Sequence, residues 1–235
     1  VAAWEAAAAW LIDPFFISSP SAVAVKLAEW IGSGFLLFHL SVTLEETAVG
    51  FLIGSTVGYA VGFAFGRSTL LADTLEPYVT AVYSLPKLAL APLFIMWFGI
   101  GFASKVAMSA SIVFFMVFYN TYAGVRDVNP IYLNVTRLMG ASEWQLMRKV
   151  ILPSASAWVL TGLKVSVPYA LVGAVIGEFM SANRGIGFVI HNSASIFDTA
   201  GVFAGLVVLM IVGILLNQAL SRFERHTLRW KETGR

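Results

Sequence analysis

The chain has 235 residues, of which 58% are hydrophobic and 12% charged, and its mean hydropathy is +0.81. A water-soluble fold of this length cannot hide that much apolar surface, so a soluble enzyme and a disordered chain are both excluded and a polytopic membrane protein is expected. The net charge of +2 gives no footing for nucleic acid, and the lack of cysteine excludes thiol chemistry and a cysteine-based zinc site.

Stretches free of Asp, Glu, Lys and Arg at 47–66, 106–125 and 199–221, with apolar runs at 77–104 and 150–177 broken only by Lys87 and Lys164, place spans at about 44–66, 78–98, 104–125, 154–179 and 200–221, each long enough to cross roughly 30 Å of hydrocarbon as a helix. Residues 1–12, which include Glu5, read as the tail of a first span or as a short interfacial helix, without the basic start of a signal peptide. Between the first two spans, Ser18-Ser19-Pro20 starts a helix over 21–31 whose Lys26 and Glu29 mark a polar side; it is expected along the outer interface. The expected architecture is an all-α membrane protein of six transmembrane helices. Acids are expected away from the centres of the second, third, fourth and sixth.

The second span carries Gly50, Gly54, Gly58, Gly62 and Gly66 at four-residue spacing, and Gly173 and Gly177 repeat the interval in the fifth. Such a stripe lets helix backbones approach closely in lipid; plain packing and sliding both fit it. Pro77, Pro86 and Pro92 interrupt the third span, either as a structural kink or as a wall of a solute path. With spans alternating, one set of connections holds ten lysines and arginines (Arg67, Arg126, Arg137, Arg148, Lys149, Arg222, Arg225, Arg229, Lys231, Arg235) and the other only Lys26, Lys105 and Arg184. The positive-inside rule then puts loop 126–153 and the C-terminus in the cytoplasm.

That loop reads as two short helices. Asn129-Pro130 starts the first, Gly140 ends it, and Ser142 caps a second over 143–151, with Pro153 at the entry to the fifth span. Its apolar content needs burial, either against the membrane face or in a cytoplasmic partner. Gly140, Val150, Leu152 and Pro153 stand at the offsets of the EAA loop (Glu-Ala-Ala, three residues, Gly, nine residues, Ile, one residue, Leu-Pro). The chain thereby resembles the permease subunits of bacterial binding-protein-dependent ABC importers of type I fold, over nearly its whole length. Asn134-Val135-Thr136 replaces Glu-Ala-Ala and removes the acid. Ser84-Leu85-Pro86-Lys87, Ala91-Pro92-Leu93, Trp97-Phe98-Gly99-Ile100-Gly101, Gly177-Glu178 and Gly185-Ile186-Gly187 resemble the nitrate, sulfonate and taurine branch most; permeases for pyrimidine, riboflavin and aromatic-acid solutes look similar.

The resemblance implies a homodimer of permeases in the bacterial inner membrane, two cytoplasmic ATPase subunits and a periplasmic solute-binding protein. It implies a small anionic solute such as an aliphatic sulfonate, taurine or nitrate. ATP and Mg²⁺ would sit on the partner subunits, since no Gly-x-x-x-x-Gly-Lys-[Ser/Thr] phosphate loop occurs here. Arg137, Gly140, Ala141, Ser142, Trp144, Leu152 and Pro153 would couple to the ATPases, with Trp144 as an apolar anchor. Buried ionisable groups and polar aromatics are the candidates for the solute path: Tyr83, Lys87, Tyr119, Asn120, Lys164 and Glu178, with Tyr122 beside them. Lys164 and Glu178, 14 residues apart in the fifth span, fall on nearly one helix face, and Glu178 is expected as a gate or as partner of Arg184. His39, His191 and His226 show no metal spacing and read as surface or interface residues. His-Glu-x-x-His and Gly-x-Ser-x-Gly are absent, which disfavours a membrane enzyme; an ion-gradient-driven secondary transporter is the other alternative.

Overall fold

The computed structural model describes residues 2–10, 14–181 and 183–227, with side chains beyond Arg222 and those of Ala9 and Pro14 outside the description. The expected first span lies only partly within it, as α1 (Ala2–Trp10), which at nine residues is too short to cross a bilayer alone. His226 and the basic positions after Arg222 fall outside the described side chains.

After the short α2 (Pro14–Ile17), α3 (Pro20–Gly32) forms where Ser19 and Pro20 signal it, the Ser19 hydroxyl accepting from the Ala22 N–H. Lys26 on its polar side sits 2.9 Å from Asp198. Burial opposes ionisation of Asp198, but hydrogen bonds from Lys26 and the Gly201 N–H, with the Lys26 charge, hold its carboxyl below the usual range.

α4 (Phe35–Arg67) is longer than the expected 44–66, so Glu46 lies inside the helix and not at its start. The expected third span is broken: α5 (Thr69–Ser84) and α6 (Ala91–Phe98) are joined through Lys87–Leu90 and bend by 89°. Pro86 lacks an N–H and pushes Leu85 into extended backbone, which stops α5 there. α7 (Phe102–Arg126) follows, then α8 (Pro130–Leu138) and α9 (Glu143–Leu146). A π-turn, Met147–Ile151, carries α9 without a break into α10 (Leu152–Ser181), and Pro168 lies inside that helix. Gly185 (φ +106°) then opens α11 (Ile186–Ser195), a helix not anticipated in the outer connection, and α12 (Thr199–Thr227) ends the described chain. Phe35–Arg67, Phe102–Arg126, Glu143–Ser181 and Thr199–Arg222 are long and apolar enough to cross a membrane, and the bent pair makes a fifth.

α7 is the axis of the bundle. A Cβ added to α4 at Gly54, Gly58 or Gly62 would stand 2.5–2.6 Å from the carbonyl oxygens of Ala110, Phe114 and Phe118. The glycine stripe is therefore a rail along which α4 lies on the α7 backbone. Gly173 of α10 likewise meets the Ser109 backbone of α7, and the Ser109 hydroxyl donates to the Ala170 carbonyl at 2.9 Å. Lipid offers no hydrophobic drive between helices, so close backbone contact and such interhelical hydrogen bonds hold the three together. α3, α11 and α12 pack around Leu36, Leu171, Ile190 and Val208.

Candidate functional site

The loop between α7 and α10 is built by its turn chemistry. The Asn129 side chain accepts from the Ile131 N–H and Pro130 opens α8. Gly140 sits at φ +79°, a conformation costly for any residue with a Cβ, and lets the chain reverse. Ser142 and Gln145 then close a reciprocal capping box on α9. Leu146 and Ile151 are buried with Val125, Val128 and Ala155, which fixes the elbow to the bundle. Pro153 lines a cavity of about 550 Å³ with Ile131, Val135 and Lys149. The outer side is bare: Leu138 is 87%, Met139 82% and Trp144 62% exposed.

Glu143 is a functional-looking residue that sequence reasoning missed. One oxygen accepts from Arg67 at 3.1 Å, the other from Arg137 at 3.2 Å. The hydrogen bond from Arg137 chiefly, with that from Arg67 and both charges, holds its carboxyl below the usual range against the opposing desolvation. The tie is therefore present at neutral pH and lost as pH falls through that lowered value. Hydrogen exchange of amides 139–146, corrected for intrinsic rates, is expected to show an acid-side step in the wild type and none in Glu143→Gln.

Four of the six path candidates come together. Tyr83, Tyr119 and Asn120 line a cavity of about 420 Å³ with Thr80, Phe115 and Met116. Lys87 points its ammonium over the Phe115 ring, 4.4 Å from its centre, and donates to the carbonyls of Val82 and Tyr83 at 2.9 Å and of Leu85 at 3.3 Å. It thereby satisfies carbonyls that the proline break frees. Tyr122 lies elsewhere, donating to Glu76 and accepting from Arg126. Lys164 lines a separate apolar cavity of about 810 Å³ between α10 and α12, with Tyr169, Met210 and Asn217.

Glu178 lines neither cavity. It is 1% exposed, accepting from the Thr43 hydroxyl at 2.7 Å and the Gly187 N–H at 2.6 Å. Arg184, its expected partner, instead lies over the Phe38 ring. Thr43 also accepts from the Ile186 N–H, and His39 Nδ1 from the Gly185 N–H, so His39 is a buried acceptor and not a surface residue. Glu46 and Lys105 complete the cluster as an ion pair at 3.2 Å, both nearly fully buried. Lys105, counted among the outer loop charges, is thus an internal group. The geometry joins the ends of α4, α7, α10 and α11 and offers no group of acids and histidines, among the described residues, that could hold a metal.

Residues 50–229 match the family described as binding-protein-dependent transport system inner membrane component. The formylaminopyrimidine transport permease protein ThiX of Halalkalibacterium halodurans is 31% identical over 97% of this chain and 91% of its own length. The putative aliphatic sulfonates transport permease protein SsuC of Bacillus subtilis is 32% identical over 95% of this chain and 81% of its own. A solved structure of the MetNI methionine ABC transporter in an inward-facing conformation aligns at a TM-score of 0.70 and 21% identity, over 79% of this chain and 92% of that one.

Proposed function

We propose that this chain, which belongs to the family of binding-protein-dependent transport system inner membrane components and is an ABC importer permease, works as a homodimer whose loop 126–153 docks on two cytoplasmic ATPase subunits. A periplasmic binding protein delivers the solute to the outer side of the inner membrane, and the C-terminus is cytoplasmic. ATP and Mg²⁺ sit on the ATPases. The solute is a small anion of the sulfonate, taurine or nitrate kind, in keeping with relatives named for aliphatic sulfonates. Tyr83, Lys87, Tyr119 and Asn120 belong to its path, and the buried Glu178 belongs to the scaffold that closes the bundle.

The observation that carries the reading is the bare apolar tip at Leu138, Met139 and Trp144, held out on a capped, well-packed elbow. A surface of that kind on a rigid support is what a partner's groove recognises. ATP-driven approach of the two ATPases would draw the two elbows together, and the continuous α9–α10 helix would carry that motion into the membrane. Ion-gradient transport is disfavoured by family membership.

Gly140→Leu tests this. No atom lies within 4 Å of its missing Cβ, so the leucine meets open space and only the local turn is strained, by about 1–2 kcal/mol. The variant is expected to express and insert normally yet lose transport and solute-stimulated ATP hydrolysis. Normal solute-stimulated hydrolysis in that variant overturns the docking role.

A further inference from the structure

We propose that Glu143 is the joint through which the elbow moves α4, and so a positioning residue for the transport cycle. The inference rests on the docking reading above.

Its carboxylate has two oxygens, and each holds an arginine from a different element. Arg137 lies on α8, before the Gly140 turn; Arg67 is the last residue of α4. Glu143 itself stands in the first turn of α9, which runs through the π-turn into α10. One side chain thereby joins both arms of the elbow to the end of a third helix. The connection to α4 matters because of what α4 is seated on. Gly66, one residue before Arg67, is pressed against Val125 of α7, and the rail continues through Gly62, Gly58 and Gly54. A helix seated on backbone over that length cannot flex locally, so a displacement of Arg67 is handed along it.

The loop's own pattern fits this placement. Position 134, where the resembling loops carry glutamate, is asparagine here, and the acid stands on the far side of the turn. Glu143 and Arg137 are both well exposed. Exposed ion pairs contribute little to folding, so the joint's value lies in direction: two charge-assisted bonds from opposite sides fix where the arginines sit relative to the elbow.

The chain has no cysteine, so single introduced cysteines take spin labels cleanly. Labels at Asn134→Cys on the elbow and, separately, at the exposed Ala64→Cys on α4 report the distance between the two copies in the assembled permease–ATPase complex. Each is measured without nucleotide and with ATP plus vanadate. In the wild-type background both distances are expected to shift. In Glu143→Gln and in Arg67→Gln the elbow shift remains while the α4 shift is lost, and Glu143→Asp restores it. Thermal midpoints stay at the wild-type value throughout. An undiminished α4 shift in Glu143→Gln overturns the joint and leaves the docking reading standing. An elbow label that does not move with nucleotide in the wild type overturns both.

Discussion

Replacing Gly54 with leucine is expected to eliminate folded permease from the membrane. The Cβ alone would stand 2.5 Å from the Ala110 carbonyl oxygen, 2.8 Å from Val113 Cβ and 3.0 Å from Ala110 Cα. Two of those atoms are backbone of the central helix and cannot swing aside as a flexible side chain would. α4 would have to lift off α7, and lifting at one point opens the contacts at Gly50 and Gly58 on either side. Overpacking a well-packed site typically costs 1–3 kcal/mol where neighbours can adjust, and here they cannot. Total stability is on the order of 5–15 kcal/mol, and a rail opened along its length consumes much of that. Gly54→Ala, which carries the same Cβ and no more, is expected to fold with a lowered thermal midpoint. Gly32→Leu is the control, since no atom lies within 4 Å of the Cβ position there. Size-exclusion chromatography after detergent extraction, with a thermal melt, decides the matter. A monodisperse Gly54→Leu protein with the wild-type midpoint would show that the rail is not what holds α4 and α7 together.

The rail was legible in the sequence because its spacing is local: five glycines four residues apart face one way on any helix. The elbow was legible for the same reason, since Asn129-Pro130, Gly140 and Ser142 act within one or two turns of themselves. What stayed hidden depends on distance along the chain. Glu143 and Arg67 are 76 residues apart, and Glu178 meets Thr43 across 135. Nothing in the local pattern announces either pairing. Charge counting failed at Glu46 and Lys105 because an acid and a base at the ends of two charge-free stretches look like ordinary flanks. They become an internal pair only once α4 and α7 lie side by side. Glu178 was picked out for its chemistry, a carboxylate in an apolar helix, but its partner was misjudged. Arg184 is close in sequence, whereas the actual donors are the Thr43 hydroxyl on α4 and the Gly187 N–H in the first turn of α11. Among the path candidates, the prolines that break the third span are what draw Lys87 onto carbonyls beside the Tyr83 and Tyr119 cavity. The break was readable; its 89° bend was not.

Glu178→Ala is expected to cost the protein about 1–3 kcal/mol for the buried donor it orphans, with a further loss from the cavity it leaves. The Gly187 N–H loses its acceptor, while the Thr43 hydroxyl loses the nearer of its two and keeps the His39 carbonyl at 3.3 Å. The Glu46–Lys105 pair also loses a neighbouring carboxyl. Glu178→Gln keeps the volume and a carbonyl oxygen for the Gly187 N–H, and its N–H₂ can donate to the Thr43 hydroxyl while that hydroxyl donates to the His39 carbonyl, so it is expected to recover most of the loss. Gly187→Ala attacks the same contact from the other side. Its Cβ would stand 2.7 Å from Glu178 Oε2 and 2.9 Å from the Val175 carbonyl oxygen, forcing α11 away from α10. Because the two changes damage one contact, the double variant should be less destabilised than the sum of the singles, with a coupling of about 0.5–3 kcal/mol. Strict additivity in that cycle, or a Glu178→Ala protein that melts like the wild type, would mean that α11 is held down by apolar packing around Ile186 and Ile190 and that the carboxylate is incidental. The coupled result would instead make Glu178 the pin by which α10 keeps α11 and α4 in place.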